Sequence, residues 1–156
     1  MVSSNESDVP SEEFKAEAVK VLQKIYLFRG LDESECRIIL DVCKLIRYRD
    51  RKLIFSEGDF CNYFLVVVSG QIDILTSKKG CISALLQGEV LGEMGVLLNH
   101  TRSASAMSMG DSVLLKIRKD DFRGLRKKEP RVMAILMHNV AHSLAERISV
   151  LNKKGD

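Results

Sequence analysis

Glu93 and Arg102 are the two charged residues of this chain whose setting most clearly suggests chemistry. Gly92 and Glu93 open the run Met94-Gly95-Val96-Leu97-Leu98, which is long enough for little more than one helical turn. Gly92 lets the backbone come close to a ligand, because no Cβ stands in the way. The first N–H groups of such a turn lack intrahelical partners and carry the positive end of its dipole, which suits an anion. Arg102 then brings a planar, permanently charged guanidinium that matches two oxygens of a phosphate. Ser103 adds a hydroxyl and a further backbone N–H. An acid beside these groups would repel a phosphate unless it is directed at something else. A sugar hydroxyl meets that need, since it donates a hydrogen bond to a carboxylate. The pattern therefore points to a ligand that joins a phosphate to a sugar.

The order Gly92-Glu93-Met94-Gly95-Val96-Leu97, a short spacer, and Arg102-Ser103-Ala104 resembles the phosphate-binding cassette of the cyclic nucleotide-binding domain family. That family includes the catabolite activator protein and the regulatory subunits of cyclic-AMP-dependent kinase. The cassette spans residues 91–105. The resemblance implies that Arg102 holds the cyclic phosphate and Glu93 the ribose 2′-hydroxyl. It implies that backbone N–H groups around Met94, Gly95 and Ser103 complete the cradle, with Gly92 and Ala104 beside them. It further implies an apolar wall under the base, for which Ile74 and Leu86 are the candidates, and a lid from the last helix near Arg147. Arginine at that position can stack on a purine face or stand exposed in water, and both readings remain open. Ser103 does not decide between cAMP and cGMP.

The elements that must position these groups follow from the spacing of apolar residues. Residues 1–10 are polar and read as a disordered arm. Residues 11–44 read as two helices. The first is capped by Ser11 with Phe14, Ala18, Val21, Leu22 and Ile25 on one face. The second is capped by Asp32 with Cys36, Ile39, Leu40 and Cys43 buried. The segment from Leu27 to Leu31, with the second helix, also resembles the helical entry to the family's domain. Residues 45–119 turn to short β runs at 46–48, 52–55, 63–68, 71–75, 82–86, 103–107 and 112–117. Turns are expected at Glu57-Gly58-Asp59, Ser69-Gly70, Lys79-Gly80, Gln87-Gly88 and Met109-Gly110-Asp111. Many short strands at this spacing predict a β jelly roll with flanking helices, so the fold class is mainly β. The run from Leu53 to Gly70 matches the family as well, and the resemblance extends from Leu27 to Leu144. Residues 120–156 return to helix, with Asp120-Asp121 capping a short one and Pro130 starting a long one. The long helix is apolar on a wide face at Val132, Met133, Ile135, Leu136, Met137 and Val140. It then narrows to a seam of Ala141, Leu144, Ile148 and Leu151, which suits a partner helix.

Bulk properties set the class. The chain has 156 residues, of which 46% are hydrophobic and 29% charged, as expected for one globular domain with a real core. A net charge of +3 is too balanced to argue for nucleic acid. The apolar runs are far too short to span a bilayer, and no secretory signal opens the chain. Cys36, Cys43, Cys61 and Cys81 show no Cys-x-x-Cys spacing and read as reduced, cytoplasmic thiols. A metal-binding barrel would need several strand histidines, whereas His138 and His142 fall on the long helix and only His100 lies elsewhere. No nucleophile has an evident base. Taken by itself, Arg102 could also be a structural arginine paired with Glu93.

The resemblance implies a stand-alone sensor of cAMP or cGMP, without metal and without enzymatic activity. It would be cytoplasmic, with no DNA or membrane contact. It would form a homodimer through the last helix and act on an unknown downstream protein. The alternatives are a transcription-regulator-like chain and a degenerate domain serving as a dimerisation or partner scaffold.

Overall fold

The computed structural model of the chain describes residues 11–155, apart from the side chain of Met94. The polar arm expected at residues 1–10 lies outside the described residues. Helix α1 (Glu12–Leu22) begins where Ser11 Oγ accepts from the Phe14 N–H at 3.2 Å. A single 3-10 turn (Tyr26–Phe28) leads into α2 (Glu33–Val42). There Asp32 accepts from the Glu35 N–H while the Glu35 carboxylate accepts from the Asp32 N–H, a reciprocal cap that satisfies two orphan donors. The N–H of Glu35 and the hydroxyl of Ser34 hold the Asp32 carboxyl below its ordinary pKa.

Six strands follow: β1 (Lys44–Tyr48), β2 (Leu53–Phe55), β3 (Tyr63–Thr76), β4 (Gly80–Leu85), β5 (Val90–Leu91) and β6 (Ser105–Arg118). Between β5 and β6 lies the short helix α3 (Glu93–Leu98). All strand pairs are antiparallel. The main order is β1-β6-β3-β4, with β2 on β6 and β5 on β3. The mainly β architecture with flanking helices is therefore as expected. Strands β3 and β6 form its spine, and side-chain alternation along them divides the core. Phe64, Val66 and Val68 face the helices, with Leu115 and Ile117 from β6. Leu65, Val67 and Ile72 face the inside of the roll, with Leu114, Ala106, Phe55 and Leu91. Both faces are buried, so Phe64–Val68 is continuously apolar and does not alternate.

Two expected turns lie within strands. Ser69-Gly70 sits in the middle of β3 and Met109-Gly110-Asp111 in the middle of β6. The β3–β6 register shifts between Val67 and Ser69 and again between Ser69 and Gln71, so the strands bulge and bend together. Gly70 has φ +93°, and a Cβ there would lie 2.3 Å from Ser112 Oγ. A glycine of this kind serves a bulge as well as a turn, which is why the sequence reading split each strand in two.

The chain closes with α4 (Lys119–Lys128) and α5 (Pro130–Lys154). Asp120 and Asp121 do not cap α4 from outside. They lie in its first turn, and Asp121 Oδ2 accepts from the Arg118 N–H at 2.7 Å. Helix α5, about 37 Å long, buries Val132, Leu136, Asn139 and Val140. Asn139 Nδ2 donates to the carbonyls of Leu27 (2.7 Å) and Arg29 (3.0 Å), fastening α5 to the 3-10 turn. Beyond Leu144 the helix leaves the core, and Ile148, Val150 and Leu151 are more than half exposed.

Candidate functional site

Two left-handed residues bracket α3, Gly92 (φ +86°) before it and Asn99 (φ +56°) after it. They hold the cassette helix to six residues. Gly92 has a second constraint, because a Cβ there would lie 1.9 Å from Arg102 Nη1. Gly95 packs on the Cys61 thiol, where an added Cβ would lie 2.6 Å from Sγ. The backbone of Arg102 is tied to the loop between β2 and β3. Its N–H donates to the Asp59 carbonyl and its carbonyl accepts from the Gly58 N–H, both at 2.8 Å.

The Arg102 side chain runs inward and is 4% exposed. Nη2 donates to the Tyr63 carbonyl at 2.5 Å and Nη1 to the Gly92 carbonyl at 3.4 Å. Nε is buried and has no hydrogen-bond partner among the described residues. Cys61 Sγ lies 3.6 Å from the Gly92 carbonyl and 3.8 Å from that of Tyr63, so it donates toward the same two acceptors. Burial pushes the Cys61 thiol up in pKa, against the pull of the Arg102 charge, and keeps it neutral.

Glu93 is also buried. Its Oε1 accepts from Arg147 Nη1 of α5 at 2.5 Å, and Arg147 Nη2 reaches the Val90 carbonyl at 3.5 Å. Glu93 is therefore not the partner of Arg102, which removes the reading of those two as a structural pair. Among the described residues Arg147 is its one hydrogen-bond donor. A carboxylate has lone pairs on both oxygens, so Oε2 can still accept from a ligand hydroxyl.

A cavity of about 370 Å³ joins these groups. Gly92, Glu93, Gly95, Arg102, Ser103 and Ala104 line it, together with Ile74 and Arg147. Leu86 does not. It is exposed beyond the end of β4, and Leu85 takes the place expected for it. Neighbours on a strand face opposite ways, so an error of one residue moves the side chain to the other face. Arg147 is among the lining residues but is bonded to the acid. The Met94 side chain lies outside the described residues. Phe55, Cys61, Tyr63, Ser83 and Glu89 were not singled out from the sequence. Phe55 and Tyr63 read there as ordinary strand residues, and no local pattern marks them. The cavity continues into a groove of about 1300 Å³ between α5 and the β4–β5 region. The two share Ser83, Glu89, Val90, Glu93 and Arg147.

The arrangement offers a buried cation and an acid with one oxygen open, beside an apolar wall of Ile74 and Leu85. It can hold a small anion that carries a hydroxyl and a flat apolar group. Among the described residues no group of three or more His, Cys, Asp or Glu gathers to bind a metal ion. No described helix is long and apolar enough to cross a membrane.

Comparison with known proteins points the same way. The model of the cyclic nucleotide-binding domain family matches residues 45–129. The cyclic AMP receptor protein of Thermus thermophilus is 32% identical over 126 residues, covering 78% of this chain and 56% of its own length. A cGMP-dependent protein kinase of Plasmodium berghei is 26% identical over 88 residues, covering 56% of this chain and 10% of its own. The chain thus spans little more than half of the first relative and a tenth of the second. A solved cyclic nucleotide-binding domain from Methylobacillus flagellatus superposes with a TM-score of 0.76 at 19% identity, covering 91% of this chain and 82% of that one. At that identity the likeness is one of fold. With a family match over more than half of its residues, this chain belongs to the cyclic nucleotide-binding domain family.

Proposed function

We propose that these residues form a sensor that binds cAMP or cGMP, catalyses nothing, and passes the binding event on through α5 to another protein. In this reading Arg102 binds the cyclic phosphate and Glu93 the ribose 2′-hydroxyl through Oε2. Backbone N–H groups at Met94, Gly95 and Ser103 complete the cradle, with Ala104 alongside. Ile74 and Leu85 support the base. The observation that carries the reading is Arg102, a buried guanidinium with an unpartnered Nε in a cavity shared with Glu93. The names of the relatives include a cyclic AMP receptor and a cGMP-dependent kinase, so both nucleotides belong in the test. The balanced charge supports a role without DNA contact, and four cysteines without Cys-x-x-Cys spacing support a reducing, cytoplasmic setting. The exposed Ile148, Val150 and Leu151 support a homodimer through α5, since pairing would remove apolar area from water at about 25 cal/mol per Å².

The test is calorimetric titration with cAMP, cGMP and cyclic dinucleotides, in the natural chain and in Arg102→Leu. Losing the cation opposite a buried phosphate costs about 3–5 kcal/mol, a hundred- to several-thousand-fold in Kd. One cyclic mononucleotide should bind the natural chain, and Arg102→Leu should nearly abolish it with the fold intact. Unchanged affinity in the variant would sink the assignment.

A further inference from the structure

Arg102 is a buried cation with no carboxylate paired to it among the described residues. Its hydrogen bonds go to two backbone carbonyls. Among the described residues no ion pair joins it to a carboxylate; of the two acids that line the cavity, Glu93 is bonded to Arg147 and Glu89 accepts from the Leu86 N–H. A guanidinium taken from water is costly unless something replaces the water around it. Two rings do so. The Arg102 guanidinium carbon lies 4.1 Å from the centroid of Phe55 and 4.6 Å from that of Tyr63. Both distances fall well inside the range in which an aromatic quadrupole attracts a cation, and the attraction is strongest where water is excluded.

We infer that Phe55 and Tyr63 form an aromatic clamp that stabilises and aims Arg102 in place of a carboxylate, as positioning residues of the anion site. The division of labour follows from the geometry. The carbonyls of Tyr63 and Gly92 fix Nη2 and Nη1, and the rings cover the guanidinium. A carboxylate partner would neutralise the cation and compete with an incoming phosphate, whereas a ring leaves its formal charge in place. Tyr63 also lies under Lys116 Nζ at 4.1 Å, so two cations share its ring. For Phe55 only Arg102 is in that position among the described residues, which makes it the cleaner place to measure. The clamp serves ligand binding only through the reading of Arg102 as the phosphate partner, but its existence can be tested without a ligand.

Phe55 and Tyr63 also pack in the inner core cluster, so deleting either ring would not separate packing from electrostatics. Progressive ring fluorination does, because it drains the negative face and nearly preserves shape. Phe55 is replaced in the full chain by mono-, di- and trifluorophenylalanine, with Arg102 and with Arg102→Met, and unfolding is followed without nucleotide. Across the series the unfolding constant should rise about 5- to 30-fold when Arg102 is present and stay level in Arg102→Met. Phe64, buried and stacked on Phe122, is the control and should show no such rise. A level series at Phe55, or equal slopes in the two backgrounds, overturns the clamp. If Arg102→Met does not fold, the comparison of Phe55 with Phe64 decides, and equal slopes overturn it. Nucleotide titration of the same proteins separates the two claims. A level series with full nucleotide binding removes the clamp alone, and a graded series without nucleotide binding removes the ligand assignment alone.

Discussion

Arg147 Nη1 donates to Glu93 Oε1 at 2.5 Å, so the last helix grips the acid that opens the cassette helix. The two residues are 54 positions apart in the chain. Glu93 is buried and Arg147 half-exposed, so the pair is a link between elements more than a store of stability. Helices α3 and α5 are thereby joined through a single carboxylate.

That link gives a prediction with two arms. Glu93→Ala should weaken the natural nucleotide by about 1.5–3 kcal/mol, as for a hydrogen bond to a charged group. It should leave the 2′-deoxy nucleotide nearly unchanged. Arg147→Met leaves the Glu93 carboxylate in place, so it should keep the preference for the 2′-hydroxyl. Calorimetry with both ligands reads all four numbers. Equal weakening of the two ligands by Glu93→Ala would assign Glu93 another role.

Gly92→Ala should damage the site more than the fold. The new Cβ meets Arg102 Nη1, and φ +86° strains any side chain by about 1–3 kcal/mol. Binding should fall more than tenfold while the chain still unfolds cooperatively. Gly124→Ala is the matching control. It lies inside α4 with open space around it and should stabilise the protein by up to about 1 kcal/mol without touching affinity. Melting curves and titrations of the pair test both statements.

Asn139→Leu should loosen α5 at its root. The carbonyls of Leu27 and Arg29 would lose their donor in a buried setting, at a cost of about 1–3 kcal/mol. Chemical denaturation measures the loss, and hydrogen exchange should show faster opening in α5 and in residues 26–28. Natural stability in the variant would mean that α5 is held by its apolar face alone.

The four thiols should react in two classes. Cys81 is exposed, while Cys36, Cys43 and Cys61 are buried. Burial pushes the Cys36 thiol up to about 11, so at pH 8 only about 0.1% of it is the reactive thiolate. Cys43 and Cys61 are raised by the same cause. The upward shifts keep all three protonated at neutral pH, and raising the pH speeds their alkylation by increasing the thiolate fraction. Mass spectrometry after a short maleimide pulse at pH 7 should find one label, at Cys81, and four after unfolding.

A chain ended after Leu144 keeps Asn139 and Val140 on the core and loses Arg147, Ile148, Val150 and Leu151. It should be monomeric in sedimentation and still bind nucleotide through Arg102, with lower affinity. If the full chain is itself monomeric at high concentration, the dimer is wrong.

How much could be read from the sequence depended on how far apart the interacting residues lie. The cassette was readable because its parts are local: Gly92 and Asn99 set the ends of α3 within a few residues, and Arg102 follows directly. The helix caps at Ser11 and Asp32 were readable for the same reason, since each cap is completed three residues on. Three features took the folded chain to decide. Gly70 and Gly110 have the same left-handed backbone in a bulge as in a turn, so only the β3–β6 pairing shows that each strand runs on. Leu85 and Leu86 are chemically equivalent, and only the position of β4 in the sheet turns Leu85 inward. The partners of the two charged residues come from distant parts of the chain. Phe55 and Tyr63 meet Arg102, and Arg147 meets Glu93, because a bent sheet and a long helix bring them to one cavity. Side-chain type and short-range spacing name the chemistry a chain carries. Contacts between distant segments depend on register and helix path, which follow from the packing of the whole core.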